Sequence, residues 1–244
     1  MNSTIVRKRI NHAAPLRSPD KRAHRVVPPL ESGDALHAEE FLRRYEAMPD
    51  LKKAELIDGI VYVMASPVSA EKHGDPDNII QGCFYFYSLA TWGVQASSNA
   101  TVRLGPKNVP QPDISLRYLP ERSGREQFDK KGYLIHPPEL IVEIAASSVS
   151  IDSHKKRDAY RDAGVPEYIL WQTYSPAING WFLENGVYRP LPIDKDGILR
   201  SRMFPGLWLD PKALLAGDRK RIKNVLERGL KSPEHAAFIK KKPF

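Results

Sequence analysis

One apolar run with a single carboxylate inside it limits the possible folds of this chain more than any other feature. In residues 140–146 every residue except Glu143 is apolar, and the run is rich in Ile and Val. Such a run predicts a strand that is buried on both faces of a sheet. An ionised carboxylate in that position is costly unless a cation or hydrogen-bond donors meet it. We therefore expect a positive group to face Glu143.

The segment after this strand supplies a candidate for that cation. Asp152 can cap a helix that runs to Gly164, and glycine is typical just beyond a helix end. Lys156 lies four residues from both Asp152 and Tyr160, so the three side chains share one face of the helix. A second apolar run follows at 168–171. This order of strand, helix and strand predicts a crossover between parallel neighbours.

The chain length, the cysteine count and the lengths of the apolar runs exclude several classes of protein. The 244 residues are enough for one well-buried domain with extensions, and the single cysteine, Cys83, excludes a disulfide framework and a cysteine-rich zinc site. A single cysteine also fits a reducing cytoplasm, which is the expected location. No run of about 18 apolar residues is present, so we expect no membrane span.

The positive charge is concentrated at the two ends of the chain. Residues 1–30 carry seven Lys and Arg against one Asp, and residues 217–244 carry nine against three acids. Each end is therefore +6, and because the whole chain is +8, residues 31–216 must be −4. We predict a basic disordered tail over 1–30, a folded domain over 31–216 and a basic extension over 217–244. Such ends can attract a phosphate backbone or can simply promote solubility.

Turn signals and apolar spacing place the remaining elements. An Asp-Gly pair at 58–59 and an Asn-Gly pair at 185–186, each between apolar runs, predict two β-hairpins. The polar segment 119–133 is expected to be a loop. Apolar spacing predicts helices over 32–48 (capped by Ser32 or Asp34) and over 75–90. Residues 219–230 are expected to form a basic helix, and residues 94–104 and 114–116 are expected to form strands.

Two further acids have settings that indicate chemistry. Asp113 follows a proline directly before a strand, so it should lie at the strand end. Glu55 lies on an otherwise apolar strand before the first hairpin turn. If both meet Glu143, like charges about 4 Å apart repel by roughly 4 kcal/mol per pair at an effective dielectric of about 20. A divalent cation would remove this repulsion, and oxygen ligands favour Mg²⁺ or Mn²⁺ over Zn²⁺.

Each of these residues also has an ordinary structural explanation. Asp113 can be a turn carboxylate, and Glu143 can pair with a lysine that has only a structural role. Lys156 can be a solvated helix lysine, and its neighbour Lys155 is the alternative candidate. The order of the parts along the chain is more specific than any one of them. With Lys156 beside a metal, they form the inventory for metal-assisted phosphodiester hydrolysis.

This order resembles the PD-(D/E)xK nuclease superfamily and, more narrowly, the Uma-two family of restriction-endonuclease-like proteins. The resemblance covers residues 36–215. It is carried by Glu55-Leu56-Ile57-Asp58-Gly59, Met64-Ala65-Ser66-Pro67 leading to His73, Gln111-Pro112-Asp113, residues 138–148, Asp152-x-x-x-Lys156-x-x-x-Tyr160 and Gly164-Val165-Pro166-Glu167-Tyr168.

The resemblance implies a metal site for Mg²⁺ or Mn²⁺. Its ligands would be Asp113, Glu143 and the backbone carbonyl of Ile144. Glu55 matches an additional acid of the Uma-like branch, as a further ligand or a base that positions water. His73 matches a recurrent histidine near the site, although it can equally be a structural capping residue.

The resemblance also implies the catalytic lysine. The superfamily usually has it two residues after the strand acid, where this chain has Ala145. In the Uma-like branch the lysine lies on the next helix, which matches Lys156, with Tyr160 as an accessory residue. The chain departs from the family at Ala145-Ala146-Ser147-Ser148 and at Gln172, where an acid is common.

We therefore expect an α/β, restriction-endonuclease-like fold: a central mixed sheet flanked by helices, with an extra C-terminal β-hairpin. The expected activity is Mg²⁺-dependent hydrolysis of DNA phosphodiester bonds, with the basic tails assisting DNA binding and a homodimer suited to cutting both strands. One alternative is a non-catalytic nucleic-acid-binding module of the same fold in a mobile-element or regulatory system. Another is a partner-binding protein whose tails contact acidic proteins. The expected catalytic residues are Glu55, Asp113, Glu143 and Lys156.

Overall fold

The apolar run around Glu143 lies at the centre of a six-stranded mixed sheet. In this computed structural model, which describes residues 27–64, 68–146 and 151–240, the run forms strand β5 (Leu140–Ala145), and all of its residues are buried. The prediction of a strand buried on both faces is confirmed. Strand β4 (Ile114–Tyr118) is antiparallel to β5, and β6 (Glu167–Gln172) is parallel to it. The sheet continues with β3 (Val94–Ser98) beside β4, and with β7 (Ala177–Glu184) and β8 (Val187–Pro190) beyond β6.

The connection between the two parallel strands is helical, as predicted. Residues Ile151–Lys156 form a π-helical turn that continues into α3 (Arg157–Ala163). The helix ends at Gly164, whose φ of 80° lies in the left-handed region that glycine adopts without strain. The side chain of Asp152, the predicted cap, lies outside the described part of the structure.

Both predicted hairpins are present. Strands β1 (Ala54–Ile57) and β2 (Ile60–Val63) pair through a turn at Asp58 and Gly59, where φ is 50° and 76°. Two positive φ values in succession are typical of a type I′ turn. The Asn-Gly hairpin joins β7 to β8 and extends the edge of the central sheet. A further antiparallel pair consists of β9 (Leu199–Arg200) and β10 (Trp208–Leu209).

The predicted helix over 75–90 is confirmed as α2 (Asp75–Ala90), which a π-helical turn, Ala70–Gly74, precedes. The first helix, α1 (Ala38–Glu46), begins six residues later than predicted. Its predicted caps have other partners, because Ser32 Oγ accepts a hydrogen bond from the backbone N–H of Val63 and Asp34 accepts one from that of Glu31. Strand β3 stops before the predicted limit, since the backbone of residues 102–104 bonds to loop residues 108, 110 and 134 instead.

The two faces of β5 contact different layers. Leu140, Val142 and Ile144 belong to the core that α2 covers. Ile141 and Ala145 belong to a second core that includes Tyr160 of α3. Because successive side chains of a strand alternate between faces, Glu143 lies on the α3 side. The fold therefore presents the carboxylate to the helix that carries Lys156.

The described residues after β10 form three helices: α4 (Pro211–Ala216), α5 (Arg219–Leu230) and α6 (Pro233–Lys240). The boundary predicted at residue 216 falls between α4 and α5, yet Ile222 and Leu226 of α5 pack in the same core as α2. At Gly229, helix α5 lies directly against the segment between β9 and β10, because an added Cβ there would lie 2.2 Å from the carbonyl oxygen of Gly206.

Of the predicted tail over 1–30, only residues 27–30 are described, and Leu30 is buried. Within the described ranges, no helix has both the length and the apolar composition to cross a bilayer.

The attachment of α6 gives a testable pH dependence. Nδ1 of His235 lies 2.8 Å from the carbonyl oxygen of Leu230, and Nε2 lies 3.0 Å from Oγ1 of Thr91. Burial lowers the pKa of His235, so the unfolded chain takes up a proton before the folded chain does. This contribution to stability is present above the unfolded pKa, about 6.5, and is lost as the pH falls through the folded pKa. We expect the free energy of unfolding, measured with urea at about pH 7.5 and 5.5, to fall more in wild type than in His235→Asn. An equal fall in both proteins would contradict this role.

Candidate active site

A buried lysine lies between two buried carboxylates. Nζ of Lys156 is 2.8 Å from Oε2 of Glu55 and 3.0 Å from Oε1 of Glu143, and none of the three side chains is more than 2% exposed. The cation expected opposite Glu143 is therefore Lys156. Lys155, the alternative candidate, instead donates to the hydroxyl group of Tyr62 at 2.8 Å near the surface.

Local helix geometry places these side chains. Lys156 lies at the junction of the π-helical turn and α3, and Tyr160 follows one turn later. The Tyr160 hydroxyl donates to Oε1 of Glu143 at 2.5 Å. Burial, and then the charge of Glu143, raise the pKa of Tyr160 well above its usual value, so its hydroxyl stays a donor. The other π-helical turn carries His73, and such turns are frequent at functional sites.

Asp113 lies just before β4 and belongs to the same cluster. Its Oδ2 accepts a hydrogen bond of 2.8 Å from the backbone N–H of Ile144, and its Oδ1 is 3.0 Å from Nζ of Lys53. Nε2 of His73 is 3.8 Å from Oδ2. Burial opposes the charged carboxylate, but Lys53, Lys156 and the N–H of Ile144 outweigh it and lower the pKa of Asp113. Asp113 is thus an anion held against β5.

Lys53 is a site residue that the sequence motifs do not include. It precedes Glu55 by two residues, and because strand side chains repeat with a period of two, both point to the same face of the β1 segment. That spacing indicates that Lys53 shares the face of Glu55, but only the fold brings Lys53 to Asp113. Burial opposes the charged ammonium group, but Asp113, Glu55 and Glu143 together raise the pKa of Lys53. All three acids therefore stabilise the positive charge of Lys53.

The Gln-Pro-Asp motif organises two of the acids. The backbone N–H of Gln111 donates to Oε1 of Glu55 at 2.7 Å, while Asp113 enters the site directly. The side chain of Gln111 is held in turn by Thr101 and Tyr45. Both oxygens of Glu55 therefore have protein partners, one in the backbone of residue 111 and one in the ammonium group of Lys156.

The site has a closed floor and a more open mouth. Lys156 and Glu55 form the floor, whereas the side chains of Lys53 and His73 are 22% and 28% exposed. Asp77, in the first turn of α2, is a further acid near the mouth that the motifs do not include. Burial raises the pKa of Asp77, and the negative charge of Asp113 adds to the rise.

The donor set fits a hard divalent cation. Three buried carboxylates, Glu55, Asp113 and Glu143, face the ammonium groups of Lys53 and Lys156, which leaves one negative charge among these described side chains. Across the described ranges, no three Asp, Glu, His or Cys side chains are arranged as a metal cage. Mg²⁺ does not require such a cage, because it is usually bound by one or two carboxylates and keeps several waters. Oxygen donors without cysteine also favour Mg²⁺ or Mn²⁺ over Zn²⁺.

The order of these parts agrees with a comparison against known families. The family described as "Uma2: Putative restriction endonuclease" matches residues 38–212. The chain belongs to the Uma2 family. The resemblance inferred from the motifs is thus confirmed, and the Uma2 match runs from α1 into α4, so α5 and α6 lie beyond it.

A solved structure shows the same fold. It is described as a "putative nuclease belonging to DUF820 from Anabaena variabilis", and it has 14% sequence identity to this chain with a TM-score of 0.55. The likeness covers 72% of this chain and 97% of that one. At this identity it supports the fold alone, and the expected mixed sheet flanked by helices is confirmed. A search of curated proteins finds no match.

Proposed function

We propose that this Uma2 protein is a divalent-metal-dependent nuclease that hydrolyses DNA phosphodiester bonds. The observation that carries the proposal is the meeting of Asp113, Glu143 and Lys156, from two adjacent strands and the crossover helix, in one buried site. The family and the structural neighbour, both described as nucleases, support a nuclease-like activity. DNA as the substrate, the metal and a cytoplasmic location stay predictions.

Asp113 and Glu143 would hold Mg²⁺ or Mn²⁺, with Glu55 and the carbonyl oxygen of Ile144 as further predicted ligands. When bound, such an ion polarises a phosphoryl oxygen and lowers the pKa of water. In the arrangement described above, Glu55 is engaged by Lys156 and by the backbone of residue 111. That engagement favours a positioning role for Glu55 over direct ligation.

We assign different roles to Lys156 and Lys53, whereas the sequence motifs assign the catalytic role to Lys156 alone. Lys156 lies at the floor, where its ammonium group is paired with both Glu55 and Glu143. Lys53 is closer to solvent and is better placed to meet the negative charge that develops on a phosphate in the transition state. Tyr160 orients Glu143 through its hydroxyl group.

The basic ends would add affinity that does not depend on DNA sequence. Residues 1–26 and 241–244 lie outside the described ranges, but α5 shows how part of the C-terminal charge is presented. Its apolar side packs on the core, while Lys220, Arg221 and Arg228 are exposed. Contacts between such residues and phosphates weaken as salt concentration rises. We expect binding to random DNA to be strongly salt-dependent.

A plasmid-nicking assay tests the proposed function. We expect wild type to nick supercoiled DNA with Mg²⁺ or Mn²⁺, to lose activity in excess EDTA, and to lose at least about 100-fold in Glu143→Gln. Glu139→Gln is the matched control. Glu139 precedes the same strand and is also buried, but its carboxylate accepts from the backbone N–H of Tyr118, away from the lysines.

Two results would count against the proposal. Equal nicking by wild type and Glu143→Gln would indicate a contaminant or another site. DNA binding without cleavage under any divalent ion would favour the non-catalytic nucleic-acid-binding module instead.

A further inference from the structure

The exposed side of α2 is unusually apolar. From residue 78 to residue 102 the chain has no Asp, Glu, Lys or Arg, although 27% of the whole chain is charged. Loss of charge together with aromatic enrichment is typical of the core of a protein–protein interface. We call the exposed apolar side chains of α2 in this stretch the α2 face; they are Tyr85 (59% exposed), Phe86 (46%) and Leu89 (68%).

A groove lies beside the α2 face, between α2 and α5. Its volume is about 320 Å³, and Gly82 of α2 contributes to its wall. A Cβ placed on Gly82 would meet no atom within 4 Å, so the groove is open there. Projecting side chains and a hole therefore lie next to each other on one surface. The apolar lining comes from Ile79 and Phe86 of α2 and from Ile222 and Leu226 of α5.

We propose that a second copy of this chain binds here, with the two α2 helices antiparallel about a two-fold axis. A two-fold interface uses the same patch on both copies, so the patch must complement itself. In this arrangement Phe86 and Leu89 of one copy lie over the groove at Gly82 of the other, and the reverse contact forms at the same time. The 16 residues of α2 span about 24 Å, which is long enough for both contacts.

The charges around the groove favour the same arrangement. Arg219 and Lys223 of α5 also line it. The last turn of α2 contains no basic residue, so α2 itself does not compensate the negative end of its helix dipole. Antiparallel pairing brings that end of one copy towards Arg219 and Lys223 of the other. A parallel arrangement would lose this complementarity.

The exposed area supplies most of what a stable dimer requires. At about 200 Å² for a fully exposed large side chain, the α2 face offers roughly 350 Å² of apolar surface, and the apolar lining of the groove adds to it. A standard interface buries about 800 Å² per partner, of which about 57% is apolar, or roughly 450 Å². The roughly 350 Å² of the α2 face is also within the range, about 300–600 Å², of the largest apolar patch on a typical monomer, and such patches are often functional.

Sedimentation velocity of the full chain, without DNA or metal, tests the proposal. We expect wild type to sediment as a dimer over about 1–100 µM, and Leu89→Arg and Phe86→Glu each to raise the dissociation constant at least about 100-fold. Val187→Arg is the matched control, because Val187 is an apolar residue of β8 with a similar exposure of 49%. Circular dichroism confirms that each variant is folded.

A wild-type chain that stays monomeric over this range overturns the proposal, whatever else covers the α2 face. A dimer that survives both α2 variants, or that Val187→Arg dissociates, overturns the assignment to α2. The proposal is independent of the nuclease assignment: a monomer can still nick DNA, and an inactive protein can still dimerise.

Discussion

Replacing Lys156 with methionine is expected to lower the free energy of unfolding by about 3–5 kcal/mol. The substitution removes the ammonium group that lies 2.8 Å from Glu55 and 3.0 Å from Glu143, and so leaves two carboxylates buried without that cation. Losing one partner of a buried ion pair costs far more than losing a surface pair, because water cannot replace it. Urea denaturation at neutral pH measures the change.

Lys155 provides the control for this prediction. It is the adjacent residue on the same helix, but its ammonium group is bonded to Tyr62 near the surface. Lys155→Met should therefore change stability by less than about 0.5 kcal/mol. Adding Glu55→Gln to Lys156→Met should recover part of the loss, since one buried charge is removed with its partner. Equal effects of the Lys155 and Lys156 variants would show that Lys156 is not held as described.

Replacing Asp113 with asparagine is expected to weaken Mn²⁺ binding at least about 100-fold, since even residues outside the ligand shell cost about 10–100-fold. Asparagine keeps the shape of the side chain and can still accept from the N–H of Ile144, but it carries no charge to attract the ion. Cleavage should fall by a similar factor. Isothermal titration calorimetry with Mn²⁺ measures the affinity directly.

Asp77→Asn separates ligation from general electrostatics. Asp77 is an acid close enough to influence Asp113 electrostatically, yet it hydrogen-bonds to Gln81 on its own helix. Asp77→Asn should weaken Mn²⁺ binding by less than about 10-fold, because Asp77 bonds to Gln81 and not to a predicted ligand, and the 10–100-fold losses outside the ligand shell come from residues that hold a ligand in place. If the Asp77 and Asp113 variants lose the same affinity, the ion is attracted by the field of the site and is not bound through Asp113.

Local signals predicted the elements whose conformation is decided locally. The Asp-Gly and Asn-Gly pairs require positive φ at both turn residues, and each forms its hairpin in the structure. Helix α2 follows its apolar spacing from Asp75 to Ala90. The start of α1 could not be found in this way, because Ser32 bonds to the backbone of Val63, a partner distant in the chain.

The site residues also differ in whether local sequence signals or tertiary contacts decide their role. Glu143 and Lys156 could be paired from sequence because burial of an acid requires a cation and the next helix offers one. Lys53 was missed because its role depends on how the β1–β2 hairpin lies against Asp113, which is a tertiary contact. The π-helical turn before α3 was also not predicted, although it leads directly into the position of Lys156.

We propose that Asp113 and Glu143 form one cation site. The most direct test is anomalous diffraction from crystals of wild type soaked with Mn²⁺. We predict a single strong anomalous peak in contact with carboxylate oxygens of both residues, with the ammonium group of Lys156 still paired with Glu55. A peak elsewhere, or no peak at Mn²⁺ concentrations that support nicking, would contradict the claim.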